Sequence, residues 1–549
     1  MVDEKSNQAL EAERRYRTAV EEANDFIENF DLLETITNVG NDEVFTPRKT
    51  ADMMLDSLPE EVWHNPNYRW LNPATKNGVF EREIAIRLDA GLAKLIPNIE
   101  TRRKHIFQNM IFSIGQTKFT ANVARRTLYY CCQANRKCDG IKAPDGHYVN
   151  GYAIGNGTWF SDCEGNIRTP VTEHEIDPKT KKCRYCGMAH DSKYLDANQR
   201  EKYSYDFIHI DHTHLERELQ KWFFGGSKNM KFDIIIGNPP YQLNDGGQKA
   251  SATPIYNLFV QQAISLNPRY LSMIIPSRWF SGGRGLDDFR EMMLEDRHIK
   301  SLSDFVDSTD CFPGVDIAGG VCFFLRDREY LGDCEVTTVR NGVTTHNKRD
   351  LRQFDCFIRD AESVGIIHKV QLLSKTFFSS VVSSQKPFGL RTYVKALDSG
   401  DITLRYNGGS GPFASSEVTT NKNWISKWKV IMSYLTNDHA GRANKDGRRK
   451  IFSSLEILPA GYVCTETYIV VGVFDTKVEA ENCYNYMKTK FVRFLVAQLT
   501  TTQHISKSSF AFVPVLDFSK KWSDEELFSL FGLSSEEISI IDSTIMEMK

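Results

Sequence analysis

The 549-residue sequence predicts an α/β protein built on a mostly parallel sheet with helices on both faces. Three observations carry that expectation. Short apolar runs, Phe232-Asp-Ile-Ile-Ile236, Leu271-Ser-Met-Ile-Ile-Pro276 and Gly320-Val-Cys-Phe-Phe-Leu325, alternate with helical stretches around residues 255–264 and 286–294. Strands that read as continuous apolar runs are buried on both faces, as in parallel sheets. The composition, 41% apolar, 25% charged and 11% aromatic, gives ample surface to bury and excludes disorder as the main state.

Residues 1–42 form an acidic segment with Ala19, Ala23, Ile27 and Phe30 at three-to-four spacing, which reads as a packing or dimer helix. It lacks the apolar core of a signal peptide, and no stretch approaches the roughly 18–20 apolar residues of a membrane span. The expectation is a cytoplasmic protein with no membrane partner. Residues 43–335 read as the main α/β domain, opening with a helix from about Lys49 to Leu58 and a strand at Tyr68-Arg-Trp-Leu71.

Residues 131–200 interrupt the pattern and read as an insertion. Six of the 12 cysteines crowd into residues 131–186, which in a reducing compartment suggests a metal more than disulfides. Alternation then resumes, and Phe305-Val-Asp307 reads as a further strand. Residues 336–549 change texture to short strands, Gly-Ser turns (Asn407-Gly-Gly-Ser-Gly411) and aromatic runs, ending in helices, and form a second, mixed α+β domain. A net charge of −3 neither advertises nor excludes nucleic-acid binding, because a local basic groove can carry that work.

The strongest chemical signal is Gly237-Asn238-Pro239-Pro240-Tyr241, directly after the Ile234–Ile236 run. A turn at the carboxyl end of a strand is where ligands sit in open α/β sheets. Its chemistry suits an exocyclic amine on a flat ring. The Asn238 amide oxygen and the Pro239 carbonyl can each accept one amine hydrogen, the two prolines fix the acceptors, and Tyr241 offers a stacking face. The bland alternative is a strand-terminating turn.

Two weaker signals lie upstream. Tyr68 through Phe80, containing Asn72-Pro73-Ala74-Thr-Lys76-Asn77-Gly78, reads as strand, turn and helix, and Gly78 lets a nucleoside approach backbone amides. Phe45-Thr46-Pro47 reads as a helix N-cap at Thr46 with Pro47 in the first helical position, compatible with a cofactor contact.

Taken together, Phe45-Thr-Pro, Asn72 through Phe80, Asn238-Pro-Pro-Tyr241, Ile275 through Phe280, Phe305-Val-Asp and Gly319-Gly-Val-Cys-Phe-Phe resemble gamma-class S-adenosylmethionine-dependent DNA N6-adenine methyltransferases of type II restriction–modification systems. The order is that of the family, and the tail from Tyr486 through Phe518, with Thr501-Thr-Gln-His504, is similar as well. The resemblance implies a Rossmann-like methyltransferase core, S-adenosylmethionine as cofactor, double-stranded DNA as partner, and a target-recognition domain after residue 335. A cognate restriction endonuclease would be a separate chain. It further implies that Phe45, Thr46 and Pro47 line the methionine end of the cofactor, that Asn72, Pro73, Ala74 and Gly78 cradle it, and that Asp206-Phe207 contacts its adenine. Asn238, Pro239, Pro240 and Tyr241 would hold the flipped base.

The sequence departs from the pattern at three points. Asn72 stands where the family has an acid, Lys76 where a glycine is common, and Gly115 or Gln116 where the second strand ends in an acid for the ribose. Weak cofactor binding is the expectation. Competing readings are an RNA adenine or a protein glutamine-amide methyltransferase, and a DNA-binding protein with a decayed cofactor pocket.

In the insertion, Cys183-Arg-Tyr-Cys186-Gly187 suits a structural zinc, with Cys131 and His174 as further ligands and Cys132, Cys138, Cys163 and His190 as alternatives. The absence of H-x-E with a downstream P-C-x-x-C argues against a deaminase zinc. In the second domain, Asn444 through Lys450 would suit a phosphate-contacting loop near Trp424 and Trp428.

Overall fold

Two of the three apolar runs, residues 232–236 and 271–276, pair in parallel with each other, whereas residues 320–325 run antiparallel to both of their neighbours. The computed structural model describes residues 44–129, 133–135, 159–170, 174–185, 203–226, 231–242, 253–281, 285–340, 342–436, 447–500 and 504–548. The expected N-terminal helix lies outside them.

Nine strands form the main sheet: β1 (Trp70–Thr75), β2 (Ile111–Gly115), β3 (Ile167–Arg168), β4 (Ile234–Gly237), β5 (Tyr270–Pro276), β6 (Ile299–Phe305), β7 (Val321–Asp327), β8 (Cys334–Arg340) and β9 (Val343–Arg349). Their order is β3-β2-β1-β4-β5-β7-β6-β8-β9. From β3 to β5 all neighbours are parallel. On the other side β7 runs antiparallel between β5 and β6.

Period-two alternation divides the side chains between two cores. Ile234 and Ile236 face one layer with Met54, Leu55, Ile84, Leu88 and Leu128 from α1 (Arg48–Asp56), α2 (Val79–Gly91) and α4 (Lys118–Tyr129), the last of which follows α3 (Ile99–His105). Ile235 faces the opposite layer with Leu219, Phe259 and Met293 from α6 (His212–Phe224), α7 (Tyr256–Ser265) and α8 (Asp287–Glu295). The helix α5 (Asp206–His209) precedes α6. Each such buried aliphatic side chain contributes about 1.5–3 kcal/mol.

The chain leaves β1 toward β2 on one side, while β4 pairs with β1 on the other and continues to β5. A crevice therefore opens between the carboxyl ends of β1 and β4, where ligands bind in this architecture.

Four expectations need correction. β1 runs through Asn72-Pro-Ala-Thr75, so the turn begins only at Lys76. The expected strand at residues 305–307 is the end of β6, after which the Asp307 carboxylate accepts from the Thr309 N–H at 3.0 Å and starts a short helical turn. The insertion is not wholly separate from the sheet, because its residues Ile167–Arg168 add edge strand β3 beside β2. The expected division after residue 335 falls within β8, and the sheet continues to Arg349.

Beyond it, α9 (Ser363–Leu373) leads to two three-stranded sheets. One comprises β10 (Ile402–Tyr406), β11 (Gly409–Phe413) and β14 (Tyr462–Cys464), the other β12 (Trp428–Ser433), β13 (Leu455–Leu458) and β15 (Tyr468–Phe474). Helices α10 (Lys477–Lys488), α11 (Lys490–Leu499), α12 (Asp524–Leu530) and α13 (Ser535–Thr544) follow. Reciprocal Thr/Ser–Glu capping boxes start α10, α12 and α13. Buried Arg359 donates to Asp304 of β6 at 3.0 Å, which ties the linker to the main sheet.

Candidate active site at the strand crossover

β4 can approach β1 closely because it ends in glycine. A Cβ on Gly237 would lie 2.5 Å from Asn72 Oδ1, so the end of β4 and the cofactor-type strand share one wall. The next residue, Asn238, is buried. Its Nδ2 donates to Thr46 Oγ1 at 3.1 Å and faces the Val44 carbonyl at 3.5 Å. A carbonyl can only accept, so this contact fixes which end of the amide carries the hydrogens. Among the described residues, no hydrogen-bond partner reaches the buried Asn238 Oδ1. An acceptor in that state costs about 1–3 kcal/mol until a donor reaches it.

Thr46 therefore does not cap the following helix as expected. Pro47 occupies the N-cap with no side-chain bond, and α1 begins at Arg48. The Thr46 hydroxyl is turned to Asn238 instead. Phe45 is buried beside it, and the Pro47 carbonyl accepts from the Thr50 and Ala51 N–H groups. Pro239 and Pro240 are buried, while Tyr241 is half-buried, edge-on to Tyr256 with ring centroids 6.5 Å apart. Burial pushes the Tyr241 phenol well above its usual range, so the ring stays neutral.

On the β1 side, Asn72 Oδ1 accepts from the Ala74 N–H at 3.1 Å and its Nδ2 donates to Glu81 Oε1 at 2.9 Å. Ser113 of β2 donates to the same oxygen at 2.6 Å. Desolvation raises the Glu81 carboxyl above its ordinary range, opposed by the hydrogen bond from Ser113 and weaker ones. Sequence reasoning missed Glu81, yet a signal existed: an acid three residues after Gly78, in the first turn of α2, where a helix favours negative charge.

Lys76 accommodates its unusual position by donating from Nζ to the Val44 carbonyl at 3.1 Å. Val44 thus gathers both the Lys76 ammonium and the Asn238 amide. Gly78 caps α2 with φ +78°, and a Cβ there would meet Ala124 Cα of α4 at 2.9 Å, so only glycine fits the turn. Where an acid was expected after β2, buried Gln116 presents both amide atoms without hydrogen-bond partners among the described residues, and Asn77 Nδ2 is in the same state. These orphaned polar atoms, clustered after β1 and β2, fit a polar ligand with its own donors and acceptors.

Asp206 and Phe207 open α5. Phe207 is fully buried, stacks on Phe259 at 5.9 Å and 17°, and shares a core with Leu71 and Ala74 of β1. The two segments expected to contact one cofactor are therefore packed together.

Of the expected metal ligands, His174 and Cys183 converge, joined by His209, which lies beyond the expected insertion and was missed. Cys131 and Cys186 lie outside the described residues. In the second domain, residues 444–446 also lie outside them. Arg449 does not serve a phosphate: it is buried and donates to the Ala497 and Thr500 carbonyls at 3.1 and 3.3 Å, at the end of α11. Trp424 and Trp428 are half-buried, Trp424 edge-on to Phe388.

Comparison with known proteins gives consistent matches. The family model for the Eco57I restriction-modification methylase matches residues 109–312. An uncharacterized adenine-specific methylase of Mycoplasma pneumoniae is 46% identical over 319 residues, covering 57% of this chain and 73% of the relative. Among solved structures, the type IIL restriction-modification enzyme MmeI in complex with DNA matches at 10% identity and TM-score 0.43, over 84% of this chain and 63% of that one. The M protein of the type I restriction enzyme EcoKI matches at 12% identity and TM-score 0.30, over 55% of this chain and 49% of that one. The chain spans less than two thirds of either solved structure's length. Among the described residues, no helix is long and apolar enough to cross a membrane.

Proposed function

The chain belongs to the adenine-specific methylases, and on that premise we propose that it methylates N6 of an adenine flipped out of duplex DNA, as the modification enzyme of a restriction–modification system. The observation that carries this reading is the buried, oriented Asn238 Oδ1, which no donor reaches among the described residues. An exocyclic amine supplies that donor. With the Pro239 carbonyl as second acceptor, both amine hydrogens are held, and the nitrogen lone pair is drawn out of the ring for attack.

S-adenosylmethionine, when bound, supplies the methyl group on an electrophilic sulfonium. Asn72, Pro73, Ala74 and Gly78 would hold it after β1, with Gln116 and Asn77 meeting its polar edge. Phe45, Thr46 and Pro47 would close the methionine end, and Asp206 with Phe207 the adenine end. Most of the rate enhancement then comes from positioning, which is worth several kcal/mol without any covalent intermediate. Residues after the main sheet would read the DNA site, any cognate endonuclease being a separate chain. A cytoplasmic location belongs to the same proposal, as does a structural zinc in the Cys-rich insertion, supported by the meeting of His174 and Cys183.

The test is nucleoside mass spectrometry of unmethylated duplex DNA incubated with the protein and S-adenosylmethionine, beside Asn238→Ala. N6-methyladenine that disappears in the variant is the expected result. N4-methylcytosine would move the target base, and N6-methyladenine on RNA alone would move the substrate. Methylated glutamine with no methylated nucleoside would replace the reading altogether. Absence of cofactor binding even with DNA present would leave a DNA-binding protein with a decayed pocket.

A further inference from the structure

Residues 174–185 form a tight hairpin. Ile176 and Cys183 face each other in an antiparallel bridge. The turn between them is closed by the Asp177 carboxylate, which accepts from the Lys179 and Thr180 N–H groups at 2.8 and 2.9 Å, and by Lys181 at φ +57°. This brings Cys183 near His174. The third member, His209, arrives from another part of the chain as the last residue of α5, the helix that opens with Asp206 and Phe207.

One ring nitrogen from each histidine and the Cys183 sulfur all lie within 4.8 Å of one another. The two imidazoles sit 4.5 Å apart at 61°. Cys183 and His209 are buried, 3% and 6% exposed, and Cys183 packs among Tyr205, Phe207 and Ile208. The competing explanation is plain packing of a buried thiol against two rings. That would not need three metal-ligating atoms, brought by two segments separated in sequence, to converge within 4.8 Å of one another. A thiolate with two imidazoles and no carboxylate selects zinc over magnesium or calcium, which take oxygen ligands.

We propose that His174, Cys183 and His209 bind one zinc ion, and that this ion pins the hairpin of residues 174–185 to the helix carrying Asp206 and Phe207, so that metal occupancy sets cofactor affinity. The site itself stands on the geometry alone, and only its effect on the cofactor rests on the methyltransferase reading. On binding, the Cys183 thiol loses its proton to solvent and each histidine coordinates through a neutral nitrogen; no electron moves. The fourth position is left to water or another side chain.

The coupling follows from the length of α5. Four residues cannot sustain a helix by themselves. Phe207 is held by its stack on Phe259, and the Phe207 and Ile210 carbonyls accept from Gln262 Nε2 at 3.1 and 2.6 Å. The metal adds an anchor at His209, three residues from Asp206. Its removal loosens the adenine-side contacts and leaves the Asn238 turn untouched.

The experiment uses the full chain purified without chelator. Plasma mass spectrometry should find one zinc per chain, falling to background in His209→Gln and Cys183→Ser and staying in Cys163→Ser, whose thiol is exposed and outside the cluster. Cobalt(II) added to stripped wild-type protein should give a thiolate charge-transfer band with tetrahedral ligand-field bands, which reports on the site even where a variant fails to fold. Calorimetric titration should show S-adenosylmethionine binding about tenfold weaker after zinc removal, the scale of one loosened contact. Wild-type protein without zinc and without the cobalt thiolate band overturns the site. Zinc bound with unchanged cofactor affinity overturns the coupling. Zinc and cofactor both bound with no methylated product would sink the methyltransferase reading and leave the metal site standing.

Discussion

Replacing Thr46 with valine tests whether its hydroxyl orients the Asn238 amide for the proposed reaction. The side chain keeps its shape and its place before α1 but loses the oxygen that accepts from Asn238 Nδ2 at 3.1 Å. What remains for Nδ2 is the Val44 carbonyl at 3.5 Å, the far limit of a hydrogen bond. A neutral hydrogen bond is worth about 0.5–1.5 kcal/mol, which corresponds to roughly two- to thirteenfold in kcat/KM. Because Thr46 is also placed at the cofactor, one variant does not separate the two roles. A double-mutant cycle with Asn238→Ala does. If the hydroxyl acts through the amide, Thr46→Val costs two- to thirteenfold on its own and close to nothing once the amide is gone. Single-turnover transfer of labelled methyl groups measures all four proteins. Equal losses in both backgrounds would refute the orienting role and assign Thr46 to the cofactor alone.

Three further predictions follow from burial. Gly237→Ala forces a methyl group 2.5 Å from Asn72 Oδ1, an overpacking of about 1–3 kcal/mol; cofactor affinity and methyl transfer should fall together, and an unchanged titration would contradict the shared wall. Burial raises the Glu81 carboxyl, so its protonated form favours the fold, a contribution complete below the unfolded value of 4.5 and lost as pH rises through the folded one. Glu81→Gln should therefore gain on wild type in urea denaturation as pH rises, and parallel pH profiles would exclude it. Lys429 is fully buried, donates to the Trp424 and Ile425 carbonyls, and is depressed by desolvation from 10.5 to about 8. The unfolded chain holds the extra proton between those values, so wild-type stability relative to Lys429→Met should rise from pH 8 to 10.5 by on the order of 3 kcal/mol, and a flat difference would disprove a buried neutral amine.

The sheet and the Asn238–Tyr241 turn were legible because they depend on local pattern. Ile234, Ile235 and Ile236 read as a strand covered on both faces whatever lies around them, and the two prolines fix the turn that follows. The bond between Thr46 and Asn238 was not legible, since it joins residues 192 apart. Local rules assigned the Thr46 hydroxyl to a helix cap, and a long-range partner took it. His209 was missed for a related reason: the boundary drawn at residue 200 followed composition, whereas the metal-ligand cluster follows a fold that returns α5 to the hairpin. Arg449 shows the opposite error. The basic run reads as a phosphate-contacting loop, and the helix-end carbonyls of α11 take one of its arginines instead.

The departures from the family pattern read differently once burial is known. Asn72 in place of an acid looked like a lost charge. The structure returns a carboxyl to the same spot from Glu81, nine residues on, at the start of α2, and Asn72 has become its donor. A carboxylate at residue 72 would face Glu81 Oε1 across 2.9 Å, and two buried carboxylates at that distance cannot both ionise. Asn72 and Glu81 are thus a matched exchange. The same holds for Lys76: where glycine would leave the Val44 carbonyl to Asn238 alone, the lysine ties the segment before Thr46 to the β1 turn. Lys76 thereby holds part of the frame that orients Asn238, and Asn72 holds the Glu81 carboxyl, so replacing Asn72 with aspartate alone should weaken the site that the substitution appears to restore.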